Sequence, residues 1–209
     1  PAGDYSPTAQ AKLVAALLDK LEIKRFAVVA HSWGSAVGLA LALQHPDRVT
    51  RLALYDAWAL DEQLPPFFRW AQTPGLGELL LALYYDQHPV DRMTHAFYDP
   101  AVIPQALADA VTRALKRPGT KRAALAAIRS QNLAAQQQHY KDVTAPVLLL
   151  WGAQDHVAAL HHGRKLQSLL PHAQLRVYQQ CGHFPMIEAA TASGSDLRRF
   201  LAQDRAVIR

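Results

Sequence analysis

The sequence predicts an α/β protein built on a parallel sheet, and three observations carry that expectation. Short apolar runs without polar alternation recur along the chain, as strands covered on both faces require. Stretches with helical spacing separate them, so each strand is followed by a crossover. A long Leu-, Ala- and aromatic-rich stretch, residues 58–144, interrupts this rhythm once.

The elements follow in order. Ser6-Pro7 reads as an N-cap with proline at the first helical position, and Leu13, Val14, Leu17, Leu18 and Leu21 then recur at helical spacing, predicting a surface helix over residues 7–21. After the turn at residues 22–25, Phe26-Ala27-Val28-Val29-Ala30 predicts the first strand. A helix follows at once, and Ala36, Gly38, Ala40 and Ala42 let it lie close to a sheet before His45-Pro46-Asp47 ends it. Residues 49–55 give a second strand, Val147-Leu148-Leu149-Leu150-Trp151 a third and residues 175–178 a fourth. Helices are expected near residues 159–170 and 190–203.

The interrupting stretch is punctuated by Pro65-Pro66, Pro74-Gly75, Pro100, Pro104 and Pro118-Gly119, which divides it into short helices. It is too long for a structureless loop, so residues 58–144 are expected to form a helical lid on a core made of residues 1–57 and 145–209. Its Phe67, Phe68, Trp70, Leu79, Leu80, Leu83, Tyr84, Tyr85 and Phe97 supply enough apolar surface for a lid core and a substrate pocket.

Composition narrows the function classes. The 209 residues are half apolar, enough for one substantial core. The formal charge of +5 comes from scattered Lys and Arg, such as Lys20, Arg25, Arg51, Arg92 and Arg164, without the dense block that would track a phosphate backbone. Nucleic acid is therefore not an expected partner. No apolar run approaches the roughly 20 residues that span a bilayer. Cys181 is the only cysteine, which excludes an intrachain disulfide and fits a reducing, cytoplasmic setting.

The strongest local signal is Ala30-His31-Ser32-Trp33-Gly34, where a strand turns into a small-residue helix. Such a turn lifts the serine hydroxyl above the sheet and demands small residues two before and two after it. A serine hydroxyl is a weak nucleophile until a base takes its proton, so a carboxylate and a histidine should follow, in that order. Trp151-Gly152-Ala153-Gln154-Asp155 places a carboxylate after the third strand, and Cys181-Gly182-His183-Phe184-Pro185 an imidazole after the fourth. Ser32, Asp155 and His183 are the expected triad, with Asp56, at the end of the second strand, as the rival acid. The Trp33 backbone N–H is the expected oxyanion donor. Trp58, Phe67, Phe68, Trp70 and Phe184 are the candidate walls of a pocket for a small apolar ester. His161-His162, with His156 and His172, lacks the spacing of a metalloprotease pair, so neither a metal nor any other cofactor is expected.

Taken together, A-H-S-W-G-S, H-P-D-R-V, W-G-A-Q-D and C-G-H-F-P-M-I-E resemble the α/β-hydrolase superfamily, in particular its lidded bacterial esterase-like members, over essentially the whole chain. The resemblance implies hydrolysis through an acyl-enzyme on Ser32. Haloalkane dehalogenases and epoxide hydrolases of that superfamily look similar but carry aspartate where this chain has Ser32. Proline iminopeptidases also resemble the elbow, and that reading needs lid carboxylates, Glu62, Glu78 or Asp86, to hold a substrate amine. A non-catalytic, receptor-like module with the same fold is the further alternative.

One departure stands out. Superfamily members normally have strands before the helix that opens this chain, with a His-Gly turn that supplies a second oxyanion donor. The expectation is therefore the C-terminal half of such a sheet. Its first strand would be a bare apolar edge, to be covered by an N-terminal segment or by a second copy in a homo-oligomer.

Overall fold

The computed structural model describes residues 3–84 and 93–203. Four parallel strands, β1 (Phe26–His31), β2 (Val49–Tyr55), β3 (Val147–Gly152) and β4 (Ala173–Tyr178), lie side by side in the order of the sequence. Helices α1 (Pro7–Lys20) and α2 (Gly34–Gln44) flank β1. Between β2 and β3 come α3 (Pro66–Ala71), α4 (Leu76–Tyr84), α5 (Gln105–Leu115), α6 (Thr120–Arg129) and α7 (Leu133–Gln137). The chain then runs through α8 (Leu160–Leu169), α9 (Pro185–Glu188) and α10 (Ala190–Ala202).

Period-two alternation along the central strands sends side chains to two cores. Leu52, Leu54, Leu149 and Trp151 pack with α2, with Ala11 and Ala15 of α1 and with Leu166 of α8. Ala53, Tyr55, Leu148 and Leu150 face the other way, onto Tyr178 and Phe200 of α10. Every strand end is in register, His31 beside Tyr55, Tyr55 beside Leu150 and Gly152 beside Tyr178, so the four loops that follow open at one edge of the sheet. Ala71, Leu81, Leu125 and Ile128 form a small core of their own among the inserted helices.

Sequence and structure differ in instructive ways. The Leu stripe of α1 does not face the protein: Leu13, Leu17 and Leu21 are exposed, while Pro7, Ala11 and Ala15 are buried. Alanine is what allows α1 to approach α2 closely, so small size outweighs apolar area in choosing the inner face. The terminal helix is preceded by a separate turn of helix, α9, started by Pro185 and tied to α10 by the Ser193 hydroxyl, which donates to the Pro185 carbonyl at 2.9 Å. β4 begins two residues earlier than its apolar run, since parallel pairing of Ala173 with Val147 needs backbone rather than side-chain apolarity. β1 ends the strand order among the described residues, with Val29 49% exposed. No helix among them is long and apolar enough to cross a membrane. Tyr85 and Asp86 lie outside the described residues.

Candidate active site

Ser32 sits at the sharp turn between β1 and α2 with φ of 51°, in the left-handed region that costs a non-glycine residue ~1–3 kcal/mol. The turn is held from both sides: the Ser32 N–H donates to the Tyr55 carbonyl at 2.9 Å and the Trp58 N–H donates to the Ser32 carbonyl at 3.0 Å. The expected crowding across the elbow is milder than supposed, since a methyl group on Gly34 would stand 3.9 Å from the Ala30 Cβ, an ordinary contact. Trp33 immediately precedes α2, where first-turn N–H groups have no partner within a helix.

His183 is buried and lies in the loop after β4. Its Nδ1 is 2.7 Å from Asp155 Oδ2 and its Nε2 is 2.9 Å from Ser32 Oγ. A carboxylate only accepts, so Nδ1 carries the proton and Nε2 is left to accept from the serine hydroxyl. Asp155 Oδ1 is itself occupied, accepting from the N–H groups of Val157 at 2.7 Å and Ala158 at 2.9 Å, which fixes the carboxylate plane. The three expected residues therefore meet as one hydrogen-bonded chain.

The loops that carry Asp155 and His183 touch backbone to backbone. A Cβ on Gly152 would collide with the Gly182 carbonyl, and one on Gly182 with the Ala96 carbonyl, so only glycine permits this approach. Segment 93–98 closes onto the same loop, where the His183 N–H donates to the Ala96 carbonyl at 2.7 Å.

Two residues not singled out by the sequence complete the setting. His31 Nε2–H donates to the His183 carbonyl at 2.7 Å, and its ring lies 4.7 Å from that of His183 and 5.0 Å from Phe184. Burial, followed by the nearby His183 charge, drives the His31 imidazole down to about 4, which keeps it neutral at neutral pH. Glu188 gathers three backbone N–H groups: Gly182 at 3.0 Å, Phe184 at 3.3 Å and, from segment 93–98, Tyr98 at 2.7 Å. Both residues stand inside the motifs quoted above, so the signal was present, but what they hold is main chain that only folding brings near.

The rival acid Asp56 reaches this edge without pairing with His183 Nδ1. It is fully buried, has φ of 42°, and accepts from the Gly152 N–H at 2.9 Å through Oδ1. Burial first, then the negative charge of Asp155, holds its carboxyl well above the usual carboxylate range. Ligand-type atoms of His31, Asp56 and His183 lie within 4.8 Å of one another. Both nitrogens of His183 and Nε2 of His31 are already engaged in the hydrogen bonds above, so the cluster reads as a proton network. Burial pushes the Cys181 thiol up to about 12, so it stays protonated and is no nucleophile.

Of the pocket candidates, Phe184 stands beside His31 and His183 and stacks on Phe97 at 4.5 Å. Trp58 is buried and 6.3 Å from Phe68, which in turn is 6.1 Å from Phe67. Trp70 is exposed. Glu62 and Glu78, the carboxylates an aminopeptidase would use, are paired with Lys165 at 2.5 Å and Arg129 at 2.8 Å.

Residues 1–190 match the family described as alpha/beta hydrolase fold. Among curated relatives, the chain is 29% identical to a 2-hydroxymuconate semialdehyde hydrolase of Pseudomonas putida, over 96% of this chain and 71% of that protein. It is 29% identical to a 2-hydroxy-6-oxo-2,4-heptadienoate hydrolase of Pseudomonas putida strain F1, over 84% of this chain and 63% of that protein. Among solved structures, a 2-hydroxy-6-oxo-6-phenylhexa-2,4-dienoate hydrolase from Rhodococcus sp. strain RHA1 superimposes with a TM-score of 0.76 at 22% identity, covering 92% of this chain and 69% of that one.

Proposed function

From the premise that this chain belongs to the α/β-hydrolase-fold family, we propose that it is a serine hydrolase that cleaves carboxylic esters through an acyl-enzyme. One observation carries the reading: Ser32, His183 and Asp155 form a continuous hydrogen-bonded chain of 2.9 and 2.7 Å, with the tautomer a general base needs.

In this mechanism His183 Nε2 takes the Ser32 proton as Oγ attacks the carbonyl carbon. The Trp33 N–H donates to the oxyanion, and Asp155 stabilises the imidazolium. His183 then gives the proton to the departing alkoxide. Water enters, His183 deprotonates it, and attack on the acyl-enzyme releases the acid and restores Ser32. Neutral His31 adds no second positive charge beside the imidazolium. Residues 58–144 act as the lid, with Phe184, Phe97, Trp58 and Phe68 as apolar walls. Trp70, at the surface, takes no part in the pocket.

A second reading is favoured by the relatives, whose names specify 2-hydroxy-6-oxo-dienoate substrates. Cleavage there breaks a bond from carbon to the attacked carbonyl, and the leaving carbanion rather than an alkoxide takes the proton. A fluorophosphonate probe followed by peptide mass spectrometry tests the common core: labelling at Ser32 is expected in the intact protein and absent in Ser32→Ala, which should also lose at least ~10³-fold in kcat. An unlabelled intact protein overturns the hydrolase reading. A panel of p-nitrophenyl esters against a 2-hydroxy-6-oxo-dienoate then separates the two leaving groups, by which of them gives the higher kcat/KM.

A further inference from the structure

Asp56 is a buried acid that the mechanism above does not use. One of its oxygens has a clear task, since Oδ1 accepts from the Gly152 N–H at the point where the backbone ladder between β2 and β3 has ended. The other, Oδ2, is buried and receives no N–H or O–H among the described residues. Among the described residues, no Lys or Arg is among the charges that act on it. The titratable groups around it are Asp155 from the loop after β3, Cys181 and His183 from the loop after β4, Glu188 from α9 and His31 from β1. Two of these are carboxylates, and Asp155 stands at the other end of the His183 hydrogen bond, its Oδ2 2.7 Å from Nδ1 of a ring whose ligand-type atom lies within 4.8 Å of the Asp56 carboxylate; of the two, its charge acts the more strongly on Asp56. Two ionised carboxylates beside one ring repel, and neither can donate. They form a hydrogen bond only when one of them holds a proton.

Which one holds it follows from the partners. Asp155 has two N–H groups on Oδ1 and the His183 Nδ1–H on Oδ2, and all three favour its charged form. Asp56 has one N–H and complete burial. We propose that Asp56 is kept as a carboxylic acid whose O–H donates to the Asp155 carboxylate, making Asp56 a positioning residue for the triad. Oδ1 then stays the acceptor for Gly152, and the residue bridges the acid loop to the elbow side of the sheet. The arrangement leaves a single negative charge opposite His183. With both carboxylates ionised, the imidazole would face two anions instead of one, and a general base must stay unprotonated to take the serine proton. Asp56 also holds a left-handed backbone, with φ of 42°, a conformation that costs a non-glycine residue ~1–3 kcal/mol.

The proposal rests on the reading of Ser32, His183 and Asp155 as a working triad, and its tests separate the two. The first needs no activity. Asp56→Asn keeps an acceptor for Gly152 and an N–H donor for Asp155 but has no titration. As pH rises above ~4, where an unfolded aspartate ionises, native Asp56 keeps its proton, so the wild type should lose stability relative to Asp56→Asn by about tenfold in folding equilibrium per pH unit until native Asp56 itself ionises. Denaturant melts of the intact protein between pH 4 and 7 measure this, and a pH-independent difference overturns the proposal. Should Asp56→Asn fail to fold, infrared spectra of the isotope-labelled wild type at neutral pH decide instead, through the presence or absence of the carbonyl stretch of a protonated aspartic acid. The second test is kinetic. Asp56→Asn should keep the acid limb of its kcat/KM profile where the wild type has it, while Asp56→Ala, which leaves the Gly152 N–H and Asp155 without this partner, loses kcat at nearly unchanged KM. An acid limb displaced to lower pH in Asp56→Asn would mean that an anion had been removed beside His183, and the proposal fails. A fluorophosphonate-inert protein that still shows the stability difference refutes the hydrolase reading and leaves the protonated Asp56 standing.

Discussion

At the scale of single residues, the site is a set of side chains whose polar atoms are nearly all committed before substrate arrives. His31 illustrates what this commitment does. It holds the His183 carbonyl from the residue next to Ser32, so His183 and Ser32 are tied through main chain as well as through their own hydrogen bond. His31→Gln, which can still present an amide N–H, should retain most of kcat, whereas His31→Ala should lose roughly tenfold or more, the scale of one net hydrogen bond to a buried carbonyl. Steady-state kinetics on the best ester checks this. The same residue sets a pH dependence of stability. Its folded value of about 4 lies below the unfolded one, so between about 4 and 6.5 the unfolded state binds more protons and stability falls as pH falls. Replacing His31 by Gln should remove about 3 kcal/mol of that acid loss, as read from urea midpoints at pH 4 and 7. The hydrogen-bonded trio of Ser32, His183 and Asp155 was legible in the sequence, because elbow, acid loop and histidine loop each carry a local pattern. His31 and Glu188 were not, although both lie in the motifs, because what they hold is backbone, and the His183 carbonyl and the Tyr98 N–H lie far along the chain from them.

At the scale of elements, the loop that carries His183 is held by what packs on it. Glu188 of α9 collects N–H groups from Gly182 and Phe184 on one side and from Tyr98 on the other, so one carboxylate joins the histidine loop to segment 93–98. Glu188→Ala leaves three donors without this acceptor and should cost ~2–4 kcal/mol of stability together with a larger fall in kcat than in KM. Thermal melts and ester kinetics on the same preparation test both parts. Glu188→Gln, which retains an acceptor oxygen, should recover much of the loss. Gly182→Ala places a methyl against the Ala96 carbonyl and should be more damaging than either, since backbone on both sides has little freedom to give way. The helix α9 escaped the sequence reading for a related reason: one turn begun by Pro185 is too short to show a period.

At the scale of the whole molecule, the sheet order places four strand ends at one edge and leaves β1 at the end of the described sheet. The chain spans 71% and 63% of the two curated relatives described above, and Val29 of β1 is exposed together with Leu13, Leu17 and Leu21 of α1. Exposed apolar surface of this kind attracts partners, whether chain or dye. The 209-residue chain should therefore bind a hydrophobic fluorophore, and Leu13→Glu with Leu17→Glu should reduce that signal without lowering the melting temperature by more than a few degrees. A signal that the double substitution leaves unchanged would place the exposed apolar surface elsewhere.

What the sequence by itself determined is the class of fold, the order of strands along the chain and the three residues that meet in one hydrogen-bonded chain. Each of these is written in short-range patterns: apolar runs of strand length, small residues around a serine, glycines beside an acid and a histidine. Tertiary structure decided the rest. It chose the alanine face of α1 over its leucines, because close approach to α2 requires small side chains. It paired His183 with Asp155 and set Asp56 on the Gly152 N–H within 4.8 Å of His183, because only the register of β2, β3 and β4 fixes how far three loops from distant parts of the chain stand from one another. A hydrogen bond forms or fails over a few tenths of an ångström, and no spacing along a sequence carries that precision.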